Sequence, residues 1–330
     1  MNKARLVLTM LAGLLIFGFA ACSDETPGAD TGDRVFQIGV AQITAHPALD
    51  AARDGFVAAL EYYGVEAQFD FQNPLGDRDA LSAIADRFVN NDVDLILAIA
   101  TPTVQTMFAA TDTIPIVGSA ITTYVGAGVV ESNERPGTNV TGASDLNPIR
   151  DQIGMILEFV PDLQTLGIAY ASSESNSVYQ ANFAADYAES RGLTVVRSSV
   201  TAVAEVHQNM LNLADSVDAI WLPTDNTHAD AMPIVGQVSI ETGVPNFPGE
   251  NNMTMGGGVA TISLDYFDLG WESGRMARDI LINGQDPAEM PIRFGMDLDL
   301  EYFVNGSMAE LIGIPVPQQF HPYIWWGDED

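Results

Sequence analysis

VFQIGVAQITAHPALDAARDGFVAALEYYGVEAQFDFQ, residues 35–72, sets two short apolar runs on either side of a stretch with helical periodicity. The runs Phe36 to Ala41 and Ala67 to Phe71 have strand length and are bounded by turn-forming residues. Between them Asp50 to Tyr63 reads as an amphipathic helix that Gly64 ends. Strand, helix and strand in this order make a βαβ unit, the building block of a parallel sheet.

Toward the C-terminus the pattern continues. Asp77 to Asn90 reads as a second helix, stopped before Asp92, and Asp94 to Ile99 and Ile114 to Val117 as further strands. A second series starts after Asn147-Pro148, with strands Leu166 to Tyr170, Leu193 to Arg197, Ala219 to Leu222 and Val244 to Phe247, and helices such as Val178 to Ser190. Two series with a break near Gly142 to Pro148 predict an α/β fold of two doubly wound parallel-sheet lobes joined by a hinge. After Gly256-Gly257-Gly258 come a strand, Val259 to Ile262, a long helix, Asp265 to Ile282, and a last strand near Pro291 to Met296. Such late elements can cross back between lobes. The expected division is 35–145 with about 263–290 for lobe 1, 146–262 with about 291–320 for lobe 2, and an acidic aromatic tail, 321–330.

Toward the N-terminus, Lys3 and Arg5 precede an apolar run from Leu6 to Phe19 and the small residues Ala20 and Ala21. This is the layout of a secretory signal. At roughly 14 residues the run is short of the roughly 20 that span a bilayer. Phe19-Ala20-Ala21-Cys22 resembles the lipobox of bacterial lipoproteins, which implies a lipoprotein signal peptide over 1–22 and lipid on Cys22; the alternative is an ordinary signal with an incidental cysteine. Residues 23–34, with Pro27, Gly28 and Gly32, read as a flexible tether. The expected location is the cell envelope, lipid-anchored on its periplasmic or extracellular face. Cys22 is the single cysteine, so no disulfide forms within the chain.

Against 13 Lys and Arg stand 44 Asp and Glu, a net charge of −31. Such a surface repels nucleic acid and anionic headgroups. The acids are scattered rather than gathered at ligand spacing, which favours a solvated surface over cation capture.

In open parallel sheets ligands bind beyond the carboxyl ends of the strands. Those ends are polar here: Gln42, Thr44 and His46; Gln72 and Asn73; Thr101 and Thr103; Ser119, Thr122 and Thr123; then Ser172, Ser173, Asn176 and Ser177; Thr224, Asp225 and Asn226; Gly249, Glu250 and Asn251. Singly, Thr101, Ser175 or Ser177 can be a helix cap. Together they suggest a cleft in which hydroxyls and helix N-terminal amides, chiefly around Thr101 to Thr103 and Ser172 to Ser177, hold a ligand carboxylate. An ammonium group needs an acid, for which Asp225 is the first candidate and Glu250 the second. Tyr124, Phe71 and Phe247 are candidates for a side-chain pocket. No phosphate loop with Lys, no His-Glu-x-x-His and no Gly-x-Ser-x-Gly elbow is present, and no nucleophile stands with a base, so an enzyme is not the expected class. His46, His207, His228 and His321 are isolated, so neither a metal nor another cofactor is expected. The glycine run reads as a turn and Trp221 as core.

ITAHPALDAARDGF from Ile43, FQNPLGD from Phe71, DLILAIATPT from Asp94, PGTNVTGASD from Pro136, LPTDNT from Leu222 and GVATISLDYFDLGWESGRMARDIL from Gly258 form an ordered set. The set resembles the substrate-binding proteins of ABC transporters, in the branch associated with aromatic and other hydrophobic amino acids. The resemblance implies a type I periplasmic-binding fold, with two lobes joined by three crossovers and the ligand between them. It matches the family's loops at Thr101-Pro102, Asn176-Ser177 and Thr224-Asp225, and implies that Asp225 anchors the ligand amino group. Thr122-Thr123-Tyr124 and Gly249-Glu250 depart from the family's usual residues and bear on ligand identity. The expected function is a solute-binding lipoprotein that captures a small zwitterion for ABC permease subunits. An envelope receptor for a sugar or nucleoside, feeding a sensor, shares the same sequence features.

Overall fold

The computed structural model describes residues 34–295 and 300–327; the signal segment with Cys22, the tether up to residue 33 and the last three residues lie outside the described residues. Strand β1 (Phe36–Gln42) is followed by α1 (Pro47–Tyr62), β2 (Ala67–Gln72), α2 (Arg78–Asn90), β3 (Leu95–Ile99), α3 (Thr101–Ala110), β4 (Ile116–Ser119), the single turn α4 (Tyr124–Ala127) and β5 (Val140–Ser144). The chain continues through α5 (Ile149–Phe159), β6 (Thr165–Ala171), α6 (Ser175–Ser190), β7 (Thr194–Val200), α7 (Val206–Ala214), β8 (Ala219–Leu222), α8 (Asn226–Ala229), α9 (Met232–Thr242), β9 (Asn246–Pro248) and α10 (Asn251–Gly257). It ends with β10 (Ala260–Leu264), α11 (Tyr266–Leu281), β11 (Arg293–Phe294), β12 (Leu300–Asn305), α12 (Gly306–Ile312) and β13 (Ile324–Trp325).

Helix α1 begins earlier than its first acid suggests. Pro47 occupies the first turn, where its missing N–H is no loss, and His46 caps the helix by accepting the Ala48 amide on Nδ1 at 3.3 Å. Leu49, Ala52, Phe56, Ala59 and Leu60 form its buried stripe. That stripe meets α11 at backbone contact. A Cβ on Gly55 would come within 2.0 Å of the Phe267 carbonyl oxygen, and one on Gly270 within 1.9 Å of that of Ala52. Two glycines therefore bring α11, distant in sequence, onto the first lobe.

The first sheet is parallel in the order β11-β5-β4-β3-β1-β2, and the second in the order β7-β6-β8-β9. In each series the first strand lies between the second and third. The winding direction reverses there, and the loops after β1 and β3, and after β6 and β8, diverge to leave a crevice. The core under the first sheet draws on Leu264, Leu269, Met276 and Ile292 besides residues 36–143; the second is centred on Trp221, Phe159 and Phe247. Trp221 is indeed core, its Nε1 donating to Gln152 Oε1 at 3.1 Å.

Three details differ from the sequence reading. Arg293 and Phe294 pair with Ala143 and Ser144, so the segment from 291 begins in the first lobe, held by the Thr141 hydroxyl on the Met290 carbonyl at 2.8 Å. The second lobe carries a separate three-stranded sheet, β10-β12-β13, with β10 antiparallel to β12. Its separation from β9 is consistent with Pro248, which has no N–H to continue a ladder. Residues 321–325 are also not a free tail, because β13 pairs with β12 and the neighbouring Phe320 stacks on Phe159. No helix of the described residues is long and apolar enough to cross a membrane.

Candidate ligand-binding site

The loops at the two crevices meet in one cavity. His46 and Leu49 come from β1 and α1, Ala100 and Thr101 from the end of β3, Ala120 from β4, Asn176 from α6, Thr224 to Asn226 from β8, and Glu250 from β9. Asp145 and Tyr266, from the first two crossovers between the lobes, complete the wall. The cavity holds about 40 Å³, space for about three waters at 10–15 Å³ each.

Strain and missing partners mark this wall. Ala100 and Ala120 hold φ of 79° and 58°, left-handed values unfavourable to a residue with a Cβ. Ala100 precedes α3, whose first turn has no side-chain cap. The Thr101 hydroxyl and Asn176 Oδ1 are buried with no hydrogen-bond partner among the described residues, as are the hydroxyls of Thr103 and Ser119. An unsatisfied buried polar atom costs about 1–3 kcal/mol, and these two stand where a ligand would meet them.

The acids of the cavity divide by how far the protein satisfies them. Asp225 caps α8 and its carboxylate accepts the His228 amide at 2.7 Å, the Ser177 hydroxyl at 2.7 Å and the Ala171 amide at 3.0 Å, with His228 Nδ1 at 3.0 Å from both oxygens. Burial opposes its charge, but the pairing with His228 outweighs burial and holds the carboxyl below its usual range. Glu174, which lines the neighbouring compartment rather than this cavity, is likewise taken up by Asn226 and Thr227. Asp145 accepts only the Thr122 hydroxyl at 3.1 Å and the Tyr266 hydroxyl at 3.0 Å from side chains. Burial, with the Glu250 charge adding to it, pushes its pKa to about 6. Glu250 caps α10 through Asn252 and Met253 and has His46 Nε2 at 4.0 Å from the opposite lobe.

Several contacts close the lobes on each other. Thr44 donates to Asp230 at 3.3 Å, Gln105 to the Ser175 hydroxyl at 3.4 Å, Gln180 to the Thr122 hydroxyl at 3.3 Å, and Arg78 to the Ser173 carbonyl at 3.4 Å.

The structure thus brings together His46, Thr101, Asn176, Thr224, Asp225 and Glu250. It leaves others out for identifiable reasons. Gln72 ends the edge strand β2, away from the switch point, and donates to Asp70. Ser172 and Ser173 are exposed and bond the carbonyls of Val200 and Thr201. Ser177 is consumed by Asp225, and Thr122 touches the cavity only indirectly, through its bonds with Asp145 and Gln180. Thr103 and Ser119 are buried behind the wall. Tyr124 and Phe247 are core and Phe71 is exposed on the edge strand, so none forms a side-chain pocket. Asp145 and Tyr266 were not singled out from sequence, nor was Gln180, which bonds Thr224 and Thr122 across the cleft. Gln180 follows Asn176 by one helical turn, a spacing that puts both on one face. Among the described residues no group of three or more His, Cys, Asp and Glu is placed to hold a metal ion.

Known proteins resemble this chain over most of its length. The tyrosine-binding protein of Clostridioides difficile is 34% identical over 289 residues, 86% of this chain and 83% of the relative. A Streptococcus pneumoniae ABC domain in complex with L-Trp superposes with a TM-score of 0.84 at 33% identity, covering 88% of this chain and all of the other. The ligand-free, open structure of a substrate-binding protein with adhesive properties from Clostridium difficile, 36% identical and covering 88% of this chain and 98% of its own, gives 0.68. At near-equal identity the closed lobes seen here score higher against the ligand-bound relative. The model of the ABC transporter substrate binding protein family matches residues 37–322, and the chain belongs to that family.

Proposed function

We propose that the protein binds a zwitterionic amino acid, with an aromatic or other apolar side chain, and delivers it to an ABC permease as a lipoprotein anchored through Cys22. The observation that carries this reading is the meeting, in one cavity, of Asp145, a buried acid that accepts from only two side chains, with the unpartnered Thr101 hydroxyl and Asn176 Oδ1. The ammonium sits against Asp145, Glu250 and Asn176 Oδ1. The carboxylate takes the Thr101 hydroxyl at the positive end of α3. Asp225, with its lone pairs occupied, shapes the wall and is not the primary anchor. The relatives named for tyrosine and solved with L-Trp support an amino acid as the ligand class. Binding closes the lobes by contacts from both, and the reading involves no bond-making chemistry. Titration calorimetry with the common amino acids tests it. Heat with tyrosine, phenylalanine or tryptophan is expected; heat with a sugar or nucleoside and none with any amino acid would overturn it.

A further inference from the structure

We propose that the cleft has a second, outer compartment built for a carboxylate, with Arg78 as anchor, and that it admits ligands carrying an anionic group beyond the amino head. Such a group is the C-terminus of a dipeptide or the side chain of an acidic amino acid. The proposal rests on the inner cavity being the amine site. Two volumes motivate it. The inner cavity, at about 40 Å³, takes the amino-acid head, ammonium with carboxylate, and little more. The outer compartment offers about 360 Å³ and shares the wall formed by Asn226. Both lobes line it: Thr44 and Arg78 from the first, Ser173, Thr201 and Thr227 from the second. A ligand too large for the inner cavity extends here.

The outer compartment has one group suited to an anion. Its acids are engaged, Glu174 by Asn226 and Thr227 and Asp230 by Thr44. Among the described residues Arg78 is its one basic lining residue. Among the described residues every other arginine has an acidic or aromatic partner. Arg78 reaches only the Ser173 carbonyl, at 3.4 Å. It also stands first in α2, where the helix dipole disfavours a cation, so local helix stability does not account for it. Most of its five N–H donors remain available, in the fork geometry that matches a carboxylate.

Calorimetry on the full chain with paired ligands tests this: Phe-Ala against Phe-Ala amide, and L-glutamate against L-glutamine. We expect at least one acid to bind about tenfold or more tighter than its neutral partner, as a charge-assisted contact implies. The pair that discriminates identifies the source of the carboxylate. Arg78→Gln should erase the preference and Arg78→Lys keep part of it, with the unfolding midpoint of each variant confirming an intact fold. Equal affinities within both pairs, or a preference that survives in Arg78→Gln, overturn the outer compartment. If phenylalanine and tyrosine bind while neither pair discriminates, only this inference falls. If they too fail to bind, the amine site falls with it.

Discussion

Tyr266 donates its hydroxyl to Oδ2 of Asp145 across 3.0 Å, tying the first crossover between the lobes to the second at the wall of the cavity. A group that lands on Asp145 therefore acts on the hinge as well as on the site. The remaining acceptor capacity of Asp145 is what an ammonium would occupy.

Asp145→Asn should weaken amino-acid binding by about ten- to a hundredfold, as loss of a charged hydrogen-bonding partner implies. It should also stabilise the ligand-free protein. Raising the carboxyl from 3.8 to about 6 disfavours the folded state at neutral pH by on the order of 3 kcal/mol, which the neutral amide avoids in part. Calorimetry and thermal unfolding at pH 7.5 measure the two effects. Unchanged affinity would remove Asp145 from the site.

The same group sets a pH dependence. Between pH 3.8 and about 6 the folded state holds a proton on Asp145 that the unfolded state has released, so its contribution to stability falls as pH rises through this window. Denaturant unfolding at pH 4.5 and 7 should therefore show a smaller gain on acidification in Asp145→Asn than in the parent chain. An amine ligand selects the ionised form, so its affinity should fall as pH drops below about 6. A pH-independent affinity between 5 and 7 would argue against this anchor.

Asp225→Ala should act on stability first. It leaves His228 buried without its counter-ion, and breaking such a pair costs about 3–5 kcal/mol. The pairing raises the His228 pKa against the opposing effect of burial, so its contribution is complete below 6.5 and is lost as pH rises through the folded value. Asp225, held low, contributes above 3.8 and loses this as pH falls through its folded value. A variant with normal unfolding and lost binding would instead make Asp225 a direct ligand contact.

Thr101→Val should separate binding from folding. The hydroxyl has no partner among the described residues, so its removal should leave stability within about 1 kcal/mol or raise it, while ligand affinity falls several-fold. Equal ligand affinity in both proteins would show that the hydroxyl plays no part.

Gly270→Ala should unfold or severely destabilise the first lobe. The added Cβ would stand 1.9 Å from the Ala52 carbonyl oxygen, and moving α11 off α1 costs about 1–3 kcal/mol or more. A midpoint within a degree of the parent would show that the helix pair has slack.

The sequence by itself determined the two βα series, because each strand and helix advertises its period locally, and it determined the polarity of the strand ends. The ordered strings from Ile43 to Leu281 determined the family. Tertiary structure decided which of those polar residues share a cavity. Gln72 and Asp225 both stand at the carboxyl ends of strands, yet β2 lies at an edge and β8 beside the switch point, a distinction made by strand order and not by any local pattern. It also decided which acid is free. Asp225 reads as an exposed loop carboxylate until Ser177, Ala171 and His228 are seen to fill it, whereas Asp145, inside the quoted string PGTNVTGASD, reads as hinge until Tyr266 arrives from 121 residues away. Hydrogen bonds of such sequence separation leave no periodic trace, and they are what set the charge of the cleft.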